Sequence, residues 1–297
     1  MPTPSLPWRG VIVASALPFN EKLEVDFDRF ASHVAWLADS GCQGITPNGS
    51  LGEYQTLTAA ERRRVVEIAV EVAPDGFSVI PGSAAYGARE AREWTEQAAE
   101  AGAQAVLVLP PTAYRAEADS VIAHYAEVAR VGLPIVAYNN PFDTKVDLKP
   151  SILSNLFHEG HIVAVKEFSG DVRRAYVLAE LAPDLEVLCG SDDVLLEMVL
   201  AGAKGWIAGY PNALPIECVD LYTALERGDL DVALPLYRLL HPLLRWDSQT
   251  EFVQAIKLSM DLVGRYGGPC RPPRQPLTSE VAQIIRKSTE MLVTASV

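Results

Sequence analysis

Cysteine is scarce in this chain, with four in 297 residues, at Cys42, Cys189, Cys218 and Cys270. None forms a C-x-x-C pair, so neither a zinc site nor a disulfide framework is suggested. The five histidines are scattered and make no H-E-x-x-H, and the one close pair, His158 and His161, sits in a polar loop that is not read as a metal site. A G-x-G-x-x-G is missing too, which argues against a doubly wound dinucleotide-binding sheet. Positive charge is in short supply: 25 Lys and Arg against 38 Asp and Glu leave a net charge of −13. Such a surface repels nucleic acid and anionic membranes, so neither is expected as a partner. An anionic substrate would need local backbone N–H groups rather than a basic face. No apolar run reaches membrane-spanning length, and residues 1–10 hold no apolar signal core. A cytoplasmic protein is expected.

What is present is ordinary globular material, 49% hydrophobic and 21% charged, enough for a large core. Short apolar runs recur at Val11–Leu17, Gly44–Pro47, Phe77–Pro81, Ala105–Leu109, Pro134–Tyr138, Ile162–Val165, Glu186–Cys189 and Gly205–Ala208. Helical patterns lie between them: Asp26–Ser40, a helix opened by the capping box Thr58–Glu61, then Ala88–Ala101, Ser120–Val131, Pro150–Phe157, Val172–Leu181 and Val194–Ala201. Gly41, Gly102, Gly132 and Gly202 fall where helix C-caps are wanted. Strand and helix alternating eight times predict an α/β chain folded as a (β/α)8 TIM barrel. Helical sequence continues at Ile216–Arg227, Leu230–Leu244, Glu251–Val263 and Ser279–Leu292, with a proline-rich segment before the last. Residues 1–227 are therefore read as the barrel and 228–297 as a C-terminal helical extension.

The sixth run ends in Lys166-Glu167-Phe168-Ser169-Gly170-Asp171. A lysine closing a buried strand costs free energy unless it is paired, or neutral and in use. It either pairs with a carboxylate from another strand end or serves as an amine nucleophile that forms a Schiff base with a carbonyl. Barrel chemistry sits at the C-terminal strand ends. Those ends carry Gly49-Ser50-Leu51-Gly52-Glu53, Tyr138-Asn139-Asn140-Pro141, Lys166-Glu167, Gly190-Ser191-Asp192-Asp193 and Gly209-Tyr210-Pro211-Asn212. Together they offer an amine, a phenol, a turn of backbone donors, and carboxylates. Ser50-x-x-Glu53 also reads as a capping box, and Asp192 and Asp193 as N-caps of the helix that follows.

This ordered set resembles the dihydrodipicolinate synthase and N-acetylneuraminate lyase family, over essentially the whole chain. The resemblance implies a class I, Schiff-base reaction on a 2-oxo acid such as pyruvate, without metal or organic cofactor, in a homotetramer. It implies Lys166 as the Schiff-base lysine and Tyr138 as the phenol that relays protons. Ser50 and Leu51 would hold the substrate carboxylate, and Ile207 would turn a backbone carbonyl toward the substrate, although Ile207 also reads as a core isoleucine.

The departures narrow the activity. The synthases carry two threonines where Ser50 and Leu51 stand, and an arginine for a second carboxylate where this chain has Asp143. Their interface tyrosine falls nominally on Ala113, with Tyr114 beside it. The sequence is more similar to the 1-pyrroline-4-hydroxy-2-carboxylate deaminase branch, through Gly-Ser-Leu-Gly-Glu, Tyr-Asn-Asn-Pro, Asp171-Val172-Arg173-Arg174, Gly205-Trp206-Ile207-Ala208-Gly209 and Arg271-Pro272-Pro273-Arg274. The alternatives are a pyruvate-dependent aldolase or dehydratase acting on a sugar-derived 2-oxo acid, with Asp192 and Asp193 holding hydroxyls, dihydrodipicolinate synthase proper, and a catalytically silent ligand-binding barrel.

Overall fold

The computed structural model of the protein describes residues 6–295. All eight apolar runs contribute a strand: β1 (Gly10–Ala14), β2 (Gly44–Thr46), β3 (Ser78–Val79), β4 (Val106–Val108), β5 (Ile135–Asn139), β6 (Ala164–Glu167), β7 (Glu186–Cys189) and β8 (Gly205–Ala208). Every named pairing is parallel, in the order β3-β2-β1-β8-β7-β6-β5-β4. The circuit closes between β3 and β4 through a parallel bridge of Gly82 with Leu107. There Leu107 N donates to Pro81 O at 2.9 Å and Ser83 N to Leu107 O at 2.9 Å. The result is a (β/α)8 barrel.

The helices are α1 (Phe27–Asp39), α2 (Ala59–Val72), α3 (Ala88–Ala101), α4 (Ala118–Ala129), α5 (Pro141–Thr144), α6 (Pro150–His158), α7 (Arg173–Leu181), α8 (Leu195–Leu200) and α9 (Pro215–Glu226), followed by α10 (Leu230–Leu244), α11 (Phe252–Leu262) and α12 (Ser279–Ala295). The α2 capping box is formed: Glu61 N donates to Thr58 Oγ1 at 3.2 Å and Thr58 N to Glu61 Oε2 at 2.8 Å. Gly41, Gly102, Gly132 and Gly202 all take positive φ at helix ends, where a side chain would be strained. Within the described residues, no helix is long and apolar enough to cross a membrane.

Strand alternation divides the core in two. Ile12, Ile80, Leu107, Val136, Ala164, Leu188 and Ile207 fill the barrel, whereas Val11, Val13, Ile45, Val79, Val106, Val165 and Val187 face the helices. Full burial of each of the Val, Leu and Ile side chains among these is worth about 1.5–3 kcal/mol. The inner layer thins toward the C-terminal strand ends, and polar side chains take over there.

The Ser50-x-x-Glu53 capping box does not form. Glu53 N donates to Ser50 O in a backbone turn, and the Glu53 carboxylate is engaged elsewhere: Lys257 Nζ donates to Oε1 and Arg271 N to Oε2, each at 2.9 Å. α11 and the segment that follows it supply the two donors, and so anchor the loop after β2.

Candidate active site

Parallel register sets Tyr138 opposite Lys166 and Asn139 opposite Glu167. The two-residue period turns the first pair into the barrel and the second pair outward. Outside, Asn139 Nδ2 donates to both Glu167 oxygens, at 3.0 and 2.9 Å, and Ser169 N donates to Oε1 at 2.7 Å. These bonds lock the two strand ends together. Inside, Lys166 is 6% exposed. Its Nζ stands 4.4 Å from the Tyr138 ring centroid and 5.7 Å from that of Phe168.

The ammonium therefore meets ring faces, a cation–π contact. Burial lowers the Lys166 pKa, opposed first by the charge of Asp247 and then by that of Asp192. A lowered pKa increases the share of free amine at neutral pH. Burial raises the Tyr138 pKa, so its phenol stays protonated. Asn140 Nδ2 donates to the Tyr138 hydroxyl at 3.3 Å and to Asp143 Oδ2 at 2.8 Å, tying the phenol to the rim carboxylate. Gly190 makes room beside the lysine: a Cβ there would lie 2.7 Å from Glu167 O and 3.0 Å from Lys166 Cγ.

Lys166 and Tyr138 lie in the wall of a cavity of about 750 Å³. Gly49, Ser50 and Leu51 line it from the loop after β2, Phe142 and Asp143 from α5, and Asp193 from the end of β7. Among the described residues, the N–H groups of Ser50 and Leu51 have no hydrogen-bond acceptor. The structure thus brings together four of the five candidate site residues. Ile207 is apart: its side chain is fully buried in the barrel and does not line the cavity.

Asp192 neither caps a helix nor faces the cavity. It is fully buried, and its carboxylate accepts from Trp206 Nε1 at 2.9 Å and from Gly209 N and Tyr210 N at 3.1 Å each. It joins the ends of β7 and β8, too deep to hold a substrate hydroxyl. Asp193 does line the cavity, and accepts from Ser248 Oγ at 2.9 Å. No side chain caps the turn Asp192–Val194 or α8. Asn212 is likewise structural, donating to Ala14 O and Gly209 O at 2.7 Å across the rim.

Asp247 is the residue that sequence reasoning missed. It belongs to the turn Arg245–Ser248 after α10, is 8% exposed, and lines the cavity with Ser248, Phe252 and Arg274. Burial raises its pKa to about 7, the charge of Lys166 pulling in the opposite direction. The one local hint is an acid just past a helix C-terminus, where the helix dipole disfavours it. Tyr114, 59% exposed, lies outside this cavity. Among the described residues no cluster of three or more His, Cys, Asp or Glu could hold a metal ion.

A parallel barrel with a buried lysine facing a phenol at the carboxyl ends of its strands is the architecture of a class I lyase. The chain belongs to the dihydrodipicolinate synthetase family, whose model matches residues 7–292. It is 30% identical over 284 residues to the 4-hydroxy-tetrahydrodipicolinate synthase of Methanospirillum hungatei, covering 94% of this chain and 98% of that one. Identity to the enzyme of the same name from Methanothrix thermoacetophila is 33% over 276 residues, covering 92% and 93%. Among solved structures, dihydrodipicolinate synthase from Aquifex aeolicus superposes with a TM-score of 0.91 at 29% identity, covering 96% of this chain and 98% of that one.

Proposed function

We propose that the chain is a Schiff-base lyase for a small 2-oxo acid or cyclic imino acid, and that its reaction is the deamination of 1-pyrroline-4-hydroxy-2-carboxylate. The observation that carries the chemistry is the buried Lys166 amine against the Tyr138 ring in the cavity wall. Lys166 adds to C2 of the cyclic imine and the ring opens. The C4 hydroxyl leaves as water, proton shifts move the new C3–C4 double bond to C4–C5 and then to a C5 imine, and hydrolysis of both imines releases 2-oxoglutarate semialdehyde and ammonia. Ser50 and Leu51 receive the C1 carboxylate on their free N–H groups. Tyr138 relays the protons that carbinolamine formation and collapse require. Ile207 enters only through its backbone carbonyl.

The choice within the family rests on Asp143. A carboxylate held at the rim by Asn140 disfavours an acceptor with a second carboxylate. This weighs against 4-hydroxy-tetrahydrodipicolinate synthesis, the activity in the names of the relatives. Asp193 with Ser248, two hydroxyl-binding groups in the wall, favours the second reading, a sugar-derived 2-oxo acid. We further propose a cytoplasmic homotetramer.

A turnover screen tests the assignment. The hydroxy-pyrroline should release ammonia faster than 2-oxo-3-deoxy sugar acids react, and faster than pyruvate condenses with aspartate semialdehyde. No ammonia release, with turnover of either other substrate, overturns it.

A further inference from the structure

The proposed reaction must take a proton from C3 and give one to the oxygen leaving C4. Tyr138 remains a neutral phenol, and Lys166 is consumed in the imine. Among the carboxylates near the site, Asp192 accepts three N–H bonds below the cavity and Glu53 is engaged by Lys257 and Arg271. Glu167 faces outward onto Asn139. Asp143 sits on the exposed rim, and half-buried Asp193 is engaged by Ser248. Asp247 remains, buried yet open to the cavity.

Its position is built with care. The backbone N–H of Asp192 favours its charged form. The carboxyl also presses on the end of β8, where a Cβ at Gly209 would come within 2.5 Å of Oδ1. Glycine at 209 is what admits it. Asp247 therefore stands at the β8 end of the rim, where its charge acts on Lys166, while Tyr138 packs against the lysine from β5. The ionisable groups around it are Lys166, Tyr138, Cys189, Asp192, Asp193 and Tyr210. Lys166 is the one cation among them.

We propose that Asp247, contributed by the C-terminal extension, is the catalytic acid–base that carries the proton from C3 of the Lys166-bound substrate to its leaving C4 hydroxyl. The proposal rests on the Schiff-base reading above. In the first half-step the Asp247 carboxylate takes the C3 proton of the iminium. The C3–H electron pair becomes the C2–C3 double bond, and the C2=N pair returns to nitrogen. Cation and anion become a neutral enamine and a neutral acid. In the second half-step the nitrogen lone pair restores C2=N, the C2–C3 π pair moves to C3–C4, and the C4–O pair leaves with oxygen. That oxygen takes the Asp247 proton and departs as water. The products are a conjugated iminium and the original carboxylate, so one proton is moved and no outside acid or base is needed. A carboxyl whose pKa lies near neutrality, as burial gives Asp247, both accepts and returns a proton efficiently.

Pyruvate is the probe, because its methyl group is C3 and it carries no leaving group. Wild type, Asp247→Asn and Asp247→Glu are compared by borohydride trapping of the imine and by exchange of the methyl protons in deuterated water. Circular dichroism checks the fold. Asp247→Asn should trap pyruvate as wild type does, while methyl exchange falls about a hundredfold or more. Asp247→Glu should recover part of it. Exchange within threefold of wild type in the asparagine variant overturns the proposal. So does a folded variant that loses trapping and exchange together, since the carboxylate then acts at the amine rather than at C3. A wild type that traps no pyruvate, and no other accepted 2-oxo substrate, overturns instead the Schiff-base reading.

Discussion

Lys257 Nζ stands 2.9 Å from Glu53 Oε1, joining α11 to the loop after β2, with both side chains almost wholly out of water. The same ammonium donates to Pro269 O at 2.9 Å. Glu53 is held at a positive φ of 53°, a conformation such a residue adopts only when its surroundings impose it. The pair fixes the loop on which Ser50 and Leu51 present their N–H groups.

Breaking that pair should therefore be costly in two ways. Lys257→Met leaves Glu53 buried and uncompensated, an effect of about 3–5 kcal/mol. Urea unfolding should show this loss, and the Michaelis constant of the accepted 2-oxo substrate should rise. Adding Glu53→Gln removes the stranded charge and should recover part of the stability. A single variant as stable as wild type would show that the pair does not brace the loop.

The eight strands were legible because each is a compact β-branched or apolar run, and because glycine marks several of the helix ends. The one-turn helix α5 was not, since four residues carry no periodicity. Its fold comes from Asn140, whose Oδ1 accepts from Asp143 N at 3.2 Å. The convergence of Lys166, Tyr138, Ser50 and Leu51 on one cavity was legible because they sit at or just after strand ends, which a barrel brings together. The roles of Asp192 and Glu53 were hidden for one reason. Each looked like a local cap, while its true partners, Gly209 and Tyr210 for one and Lys257 and Arg271 for the other, lie far along the chain. Asp247 was hidden by the reading of the tail as an appendage, although it walls the cavity.

Two buried histidines should make stability fall in mild acid. His33 is fully buried, its Nε2 donating to Asn212 Oδ1 at 2.9 Å, and His124 Nε2 donates to Leu109 O at 3.0 Å. Burial lowers each pKa from 6.5 to about 4. The unfolded chain takes up these protons near pH 6.5 and the folded chain only near pH 4. Their stabilising contribution is thus complete above about pH 6.5 and lost progressively as pH falls toward 4, by about 3 kcal/mol for each histidine. Unfolding free energies for wild type and His124→Gln across this range check it. The variant should show a shallower slope, and parallel profiles would contradict the assignment.

Asp143 sets the expected discrimination. Condensation of pyruvate with aspartate semialdehyde should run at least about tenfold below turnover of the preferred substrate, because the rim carboxylate repels the second carboxylate. Asp143→Arg should narrow that gap and reduce the rate with the hydroxy-pyrroline. Steady-state kinetics on both substrates decide it, and equal wild-type efficiencies would refute the reading of this rim.

The central claim is that Lys166 is the nucleophile, and covalent capture tests it most directly. The protein is incubated with pyruvate or another accepted 2-oxo substrate, reduced with borohydride, digested and mapped by mass spectrometry. The account predicts one adduct, on Lys166, abolished by Lys166→Ala and formed more slowly by a folded Tyr138→Phe. Arginine at position 166 should not restore it, because a guanidinium stays protonated. A stable adduct on Lys145 or Lys204, or none with any accepted substrate, would contradict it.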